Sequence, residues 1–232
     1  MGNIKLEEKP AEISVAVSTT DTKVFRPKKR VYLFFKRLID IIASACSLLL
    51  LSPVFLIIAI LIKAEDGGPI FYSSLRVGKC GKMIRVFKFR SMRLNADQLE
   101  QMLSPSELEE YQKNFKLDRD PRITNIGAKL RKSSLDEIPQ FLNILLGSMS
   151  LVGPRPVLQE ETELYGEDRD LLLSVTPGLT GYWQSRGRSK VGYEDGARQQ
   201  MELYYVRNCS FLLDLKILFW TISAVLRRNG AQ

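Results

Sequence analysis

Histidine is absent from the 232 residues. That excludes Ser-His and Cys-His nucleophilic systems and removes the commonest metal ligand. Any chemistry falls to Asp, Glu, Lys, Arg, Ser, Tyr or cysteine. Cysteine is scarce: Cys46, Cys80 and Cys209 lie far apart, without metal-ligand spacing. An odd number with no signal peptide suits a reducing compartment, and packing is the commoner role for such residues. No charged n-region directly precedes a short apolar run with a cleavage site, so no signal peptide is expected. Residues 1–27 are polar, mixed and without periodicity, and read as a flexible leader.

Positive charge is plentiful, with a formal net charge of +8. It points to a polyanionic partner: nucleic acid, anionic lipid or nucleotide-sugar phosphates. Acidic residues are missing altogether from Gly67 to Ala96. No nucleic-acid motif accompanies the basic residues, so nucleic acid is not expected. The length allows a real core, as one domain plus an appendage.

Charge is missing from Ile41 to Ile62, "IIASACSLLLLSPVFLIIAILI". That is about the 20 residues a bilayer-crossing helix needs. Two features favour a helix-break-helix that enters the membrane and returns, rather than a Pro-kinked span. Ser52-Pro53 sits mid-segment, where proline removes an amide donor and disfavours helix at the residue before it. The carbonyls so freed need partners, and a serine hydroxyl is one candidate. Basic residues also flank both ends, whereas a spanning helix calls for asymmetry. The divisions expected are a leader over 1–27, a re-entrant membrane segment over 28–63 and a cytosolic or interfacial domain over 64–232.

"PIFYSSLRVGKCGKMIRVFKFRSM" (69–92) alternates apolar and basic residues around a Gly78–Gly81 turn. It predicts a β-hairpin whose basic residues meet lipid headgroups. Residues 95–115 predict two short amphipathic helices broken at Ser104-Pro105. "ITNIGAKLRKSS" predicts a short helix carrying Lys129, Arg131 and Lys132 towards the adjacent acids Asp136 and Glu137. "TPGLTGYWQSRGR" (176–188) predicts a turn-rich loop with an exposed Tyr182-Trp183 pair. "SFLLDLKILFWTISAVLRR" (210–228) suits an in-plane amphipathic helix or a core helix.

Two neighbouring carboxylates repel, and both ionise at neutral pH only if cations compensate. The nearby basic residues could do so, and so could Mg²⁺, the natural metal for hard oxygen ligands without histidine. A carboxylate can also attack phosphorus and form an acyl phosphate. Taken alone, an adjacent acid pair is more often an exposed accident than a catalytic dyad.

Four ordered stretches add to this: "KRLIDIIASACSLLLLSPVFLIIAILIK", "LRKSSLDEIPQFLNILLGSMSLVGPRP", "TPGLTGYWQSRGR" and "LYYVRNCSFLLDLKILFWT". Together, over about residues 30–228, they resemble the bacterial sugar transferase family of monotopic phosphoglycosyltransferases. The resemblance implies transfer of a sugar-1-phosphate from a UDP-sugar to undecaprenyl phosphate, with release of UMP, at the cytosolic face of the bacterial inner membrane. It also implies a re-entrant helix broken at Ser52-Pro53. By the same match Asp136 is the nucleophile, Glu137 holds Mg²⁺ within a dyad that includes Asp136, and Arg131 binds phosphate. Pro154, Arg155 and Pro156 are expected near the uridine, and Arg188 at phosphate. Glu202 stands where many relatives carry an active-site aspartate before the Tyr pair. The fold class implied is α+β and predominantly helical, with the re-entrant helix, a small β-hairpin and interfacial amphipathic helices around a compact catalytic core. Anionic membrane lipid is a further expected partner, and a homo-oligomer is left open. A non-catalytic membrane-surface scaffold for glycan assembly explains charge and hydrophobicity equally well, but not the ordered motifs. Galactose, glucose and an N-acetylated diamino sugar are all compatible with the sequence.

Overall fold

A computed structural model describes residues 30–114, 117, 120–187, 191 and 196–226. The expected leader and Arg188 lie outside the described residues. Helices α1 (Arg30–Leu50) and α2 (Ser52–Asp66) meet at a bend of 59°. The cause is local. Pro53, at the start of α2, has no N–H to give the Leu49 carbonyl four residues back. Ser52 Oγ donates to that carbonyl instead, at 2.8 Å. The bend is thus stabilised by the residue pair that creates it, as the sequence predicts. No single described helix is long and apolar enough to cross a membrane; the bent pair qualifies by length and composition.

Both helices leave large apolar side chains uncovered, Phe34, Leu49, Leu50 and Leu56 among them. Exposed apolar side chains in such number on two adjoining helices suit a membrane or protein interaction surface. On the inner side, Ile58 and Ile62 pack with Phe89, Leu130 and Ile138. The base of α1 is fastened by polar groups: Arg37 donates to Ile144 O at 2.6 Å and Leu145 O at 2.8 Å, and Lys36 pairs with Asp214 at 2.8 Å. Arg37 therefore sits on carbonyls at a helix C-terminus, where a cation is favoured.

Strands β1 (Phe71–Val77) and β2 (Met83–Phe89) form the expected antiparallel hairpin, with Tyr72 opposite Lys88 and Arg76 opposite Ile84. Its basic residues do not all face outward as expected. Arg76 and Lys88 share one face with Ser74 and Val86, because partners across a ladder point the same way. Arg90, just past β2, is buried against Asp66 at the end of α2.

Helices α3 (Leu99–Met102) and α4 (Pro105–Asn114) are interrupted at Ser104-Pro105, as predicted. Ser104 and Glu107 exchange hydrogen bonds there in a capping box. Helix α5 (Asn125–Ser133) starts at a Thr124 cap and packs tightly on the chain after β2. A Cβ at Gly127 would lie 2.0 Å from Ser91 O, so only glycine permits the approach.

A 3₁₀ turn (Leu135–Glu137), α6 (Gln140–Leu146) and β3 (Ser150–Val152) follow. The chain continues through a 3₁₀ segment (Glu160–Asp168) and α7 (Arg169–Leu173) to β4 (Gly178–Thr180), which pairs parallel with β3. Three helices complete the described residues: α8 (Tyr182–Arg186), α9 (Ala197–Asn208) and α10 (Phe211–Leu226). The fold is mostly helical α+β, with two small sheets.

Helix α10 packs into the core along one face and leaves an apolar face uncovered. Ile217 is fully buried with Val152 and Tyr205, while Phe211, Leu212, Phe219 and Ile222 face outward. The expected exposure of Trp183 is not observed. Its ring is 8% exposed, lies 4.1 Å below the Arg198 guanidinium, and its Nε1 donates to Val191 O. The turn-rich loop folds inward because its glycines permit close backbone contact: a Cβ at Gly181 would sit 2.2 Å from Gly153 O.

Candidate active site

The acid pair sits on the 3₁₀ turn between α5 and α6. Ser134, in the left-handed region at φ 57°, caps α5 and reverses the chain into the turn. Asp136 is thereby buried, at 6% exposure, rather than displayed on the surface. The cation that meets the pair is Lys88 from β2. Its Nζ lies 2.8 Å from Glu137 Oε1 and 3.8 Å from Asp136 Oδ2. Lys129 and Lys132, expected to compensate the acids, are exposed on α5. Arg131 is closer in role to the expectation. Its Nε donates to Ser91 Oγ at 2.9 Å, and its charge acts on Asp136.

Burial pushes the Asp136 carboxyl above its ordinary range. Lys88 and Arg131 oppose that rise, and the neighbouring Glu137 charge adds to it. Asp136 is thus a carboxyl that burial keeps from water, with the charges of Lys88 and Arg131 acting on it.

The Pro154-Arg155-Pro156 turn is brought to the dyad by the parallel β3–β4 pair. Gly178 N donates to Pro154 O, and Gly153 N to Thr180 O, both at 2.8 Å. A Cβ at Gly178 would lie 2.1 Å from Gly153 N, so the two loops touch backbone to backbone. A small open cavity results. Arg76 and Lys88 from the hairpin, Glu137 and Gln140 from the dyad segment, and Arg155 and Pro156 from the turn line it, with Gln184 at its side. Sites assigned far apart in the sequence thus converge on one cavity: Glu137 with Arg155 and Pro156.

Glu202, on α9, is placed differently from the substrate contact expected. It is 1% exposed, and both carboxylate oxygens accept from Arg155 N at 3.3 Å. It lies behind the turn and fixes Arg155 rather than lining the cavity. Burial raises its pKa from 4.5 to about 7, against the lowering effects of Arg198 and Arg155. Ser52 and Pro53 are remote in role, at the helix bend.

The cavity's two hairpin cations, Lys88 and Arg76, were given no site role from the sequence. The available signal was strand parity, which sets both on the face of buried Val86.

The donor set also bears on the expected Mg²⁺. Among the described residues no group of three His, Cys, Asp or Glu could enclose a metal. Mg²⁺ is commonly held by one or two carboxylates together with water and substrate phosphate. The adjacent carboxylates of Asp136 and Glu137, at the edge of a cavity lined by cations, fit that mode.

Comparison with known proteins gives a consistent result. Residues 31–228 match the family described as bacterial sugar transferase. The exopolysaccharide production protein ExoY of Rhizobium meliloti is 46% identical over 199 residues, which cover 84% of this chain and 87% of that protein. The undecaprenyl-phosphate galactose phosphotransferase of Salmonella typhimurium is 44% identical over 206 residues. The match covers 88% of this chain and 43% of that longer protein. The UDP-N-acetylgalactosamine-undecaprenyl-phosphate N-acetylgalactosaminephosphotransferase of Aeromonas hydrophila is 37% identical over 209 residues, 87% of this chain and 46% of that one.

Proposed function

Because the chain belongs to the bacterial sugar transferase family, we propose that it transfers a sugar-1-phosphate from a UDP-sugar to undecaprenyl phosphate and releases UMP. Relatives named for undecaprenyl-phosphate sugar transfer and for exopolysaccharide production support that reading. It makes the protein the first membrane step of exopolysaccharide or related glycan synthesis. The observation that carries the chemistry is the burial of Asp136 between Lys88 and Glu137, beside the cavity of Arg155 and Pro156.

In this reading an Asp136 carboxylate oxygen attacks the phosphorus that bears the sugar. The bond from that phosphorus to the bridging oxygen breaks, and UMP leaves with the electron pair. Asp136 then carries the phosphosugar as an acyl phosphate. An oxygen of undecaprenyl phosphate attacks the same phosphorus, and the Asp136 carboxylate is released unchanged. Lys88 pairs with Glu137 and opposes the rise that burial imposes on the Asp136 pKa, and Arg155 draws the phosphates into the cavity. Arg131 keeps a positive charge behind Asp136. Asp136 and Glu137 would hold Mg²⁺, which when bound neutralises charge that builds on the phosphates. Glu202 acts through Arg155, and Arg188 supplies a further phosphate contact.

The bent α1–α2 pair enters the membrane and returns, with its base and the rest of the chain on the cytosolic face. The exposed apolar surface of α1, α2 and α10 supports that placement, and so do the ionic contacts at the α1 base. A soluble nucleotide and a lipid phosphate can then meet at headgroup height, where anionic lipid meets the basic surface. Residues 28–63 form the membrane segment and 64–232 the catalytic domain.

The test is product analysis with purified protein, a UDP-sugar and polyprenyl phosphate. UMP release that depends on both Mg²⁺ and the lipid phosphate is expected under multiple turnover. Release of UDP would instead indicate transfer of the sugar alone. No nucleotide product with any of a panel of UDP-sugars would leave the scaffold reading.

A further inference from the structure

Arg76 is drawn into the protein by no strong partner. Its Nη1 lies 3.4 Å from Glu161 Oε2 and its Nε 3.4 Å from Ser74 Oγ, both long for charge-assisted contacts. Glu161 is itself shared, with Arg198 at 3.8 Å and with Leu158 N at 2.6 Å. Yet the Arg76 side chain is only 21% exposed, and it lines the same cavity as Arg155 and Lys88. Burying a guanidinium beside another without a close bidentate carboxylate is costly. The Arg155 charge and burial together pull the Arg76 pKa down from its usual value. Two guanidiniums that converge on one open cavity leave it short of negative charge.

On the reading of the cavity as a UDP-sugar site, we infer that Arg76 and Arg155 form a two-arginine clamp for the phosphate that stays on the uridine. The layout along the hairpin assigns the ends. Arg76 and Tyr72, the partner of Lys88, are four residues apart on β1, about 13 Å at roughly 3.3 Å per residue. Lys88 marks the dyad end, where the transferred phosphate goes. Arg76 marks the Pro-Arg-Pro end. There Glu161 Oε2 accepts from the amide of Leu158, three residues past Arg155, at 2.6 Å and faces Arg76 Nη1 at a long 3.4 Å, so one carboxylate lies between the strand and the turn. A guanidinium fork suits a bidentate grip on phosphate that lysine cannot reproduce.

The test uses the full-length protein in detergent or nanodiscs with Mg²⁺, and calorimetric titration of UMP and of uridine. Arg76→Gln should weaken UMP binding by about tenfold or more, the usual scale for losing a hydrogen bond to a charged group. Its uridine affinity should stay at the wild-type level. Arg76→Lys keeps a cation opposite Glu161 and guards against misfolding of the Gln variant. It should bind UMP several-fold more weakly than wild type, again with uridine unchanged. Wild-type UMP affinity in both variants, or an equal loss for uridine and UMP, would overturn the clamp. Wild-type protein that binds no UMP would overturn the clamp and the proposed reaction together, which separates the two failures.

Discussion

Lys88 Nζ donates to Glu137 Oε1 at 2.8 Å while standing 3.8 Å from Asp136 Oδ2. One ammonium from a β-strand therefore serves both acids of a turn that lies 48 and 49 residues further along the chain. Its charge is the largest of the effects that hold the Asp136 pKa down against burial.

That contact gives a pH prediction. Attack requires ionised Asp136, whose pKa stands above its ordinary 3.8, so the loading rate should fall as pH drops through the raised value. Lys88→Met removes the main lowering effect and raises that pKa further. The acid limb of the loading rate should move to higher pH, and the rate at neutral pH should drop by roughly ten- to a hundredfold. Lys88→Arg should restore part of both. An acid limb left unmoved by Lys88→Met would contradict the role given to this lysine.

A second prediction concerns topology. With the bend intact, a cysteine placed at Lys28 in a background free of Cys46, Cys80 and Cys209 should resist an impermeant thiol reagent applied from outside the cell. Pro53→Ala lets the helix run on from α1 into α2. Their 21 and 15 residues, about 54 Å at 1.5 Å per residue, exceed a hydrocarbon core of roughly 30 Å. Outside labelling should then appear in part of the population. Labelling of the protein with Pro53 in place would contradict the re-entrant reading.

Glu202 makes a prediction about stability. Its pKa rises from 4.5 to about 7 on folding, so the native state binds the proton more tightly. Stability from this group is present below pH 4.5 and is lost as pH rises towards 7. Glu202→Gln removes that slope. The melting temperature of the wild type should fall more between pH 5 and pH 8 than that of the variant. The scale is about 2–4 °C per kcal/mol for a chain of this size. Parallel curves would show that Glu202 is not protonated in the fold.

The parts that local rules govern were legible in the sequence. Ser52-Pro53 announces both the bend and the hydroxyl that caps it, the Gly78–Gly81 turn announces the hairpin, and Ser104-Pro105 separates α3 from α4. The motifs also named part of the cavity: Glu137, Arg155 and Pro156 do converge. What the sequence hid depends on tertiary contact. Strand parity puts Lys88 and Arg76 on the Val86 face but does not say that this face meets the dyad. Glu202 looks like any helical acid, and nothing local reveals that α9 buries it under the Arg155 amide. Trp183 reads as exposed because a glycine-rich loop is usually a surface loop. Here the glycines serve contact between the backbones of Gly153, Gly178 and Gly181.

The most direct test of the account is a single loading experiment. Purified protein is incubated with Mg²⁺ and a UDP-sugar carrying radiolabel in the sugar, with no lipid acceptor, and protein-bound label is counted after rapid denaturation. Wild type should retain label in proportion to enzyme and pass it to undecaprenyl phosphate when that lipid is added before denaturation. Asp136→Asn should retain none and release no UMP. Equal label on the Asn variant, or full turnover without Asp136, would contradict the claim that this buried carboxylate carries the phosphosugar.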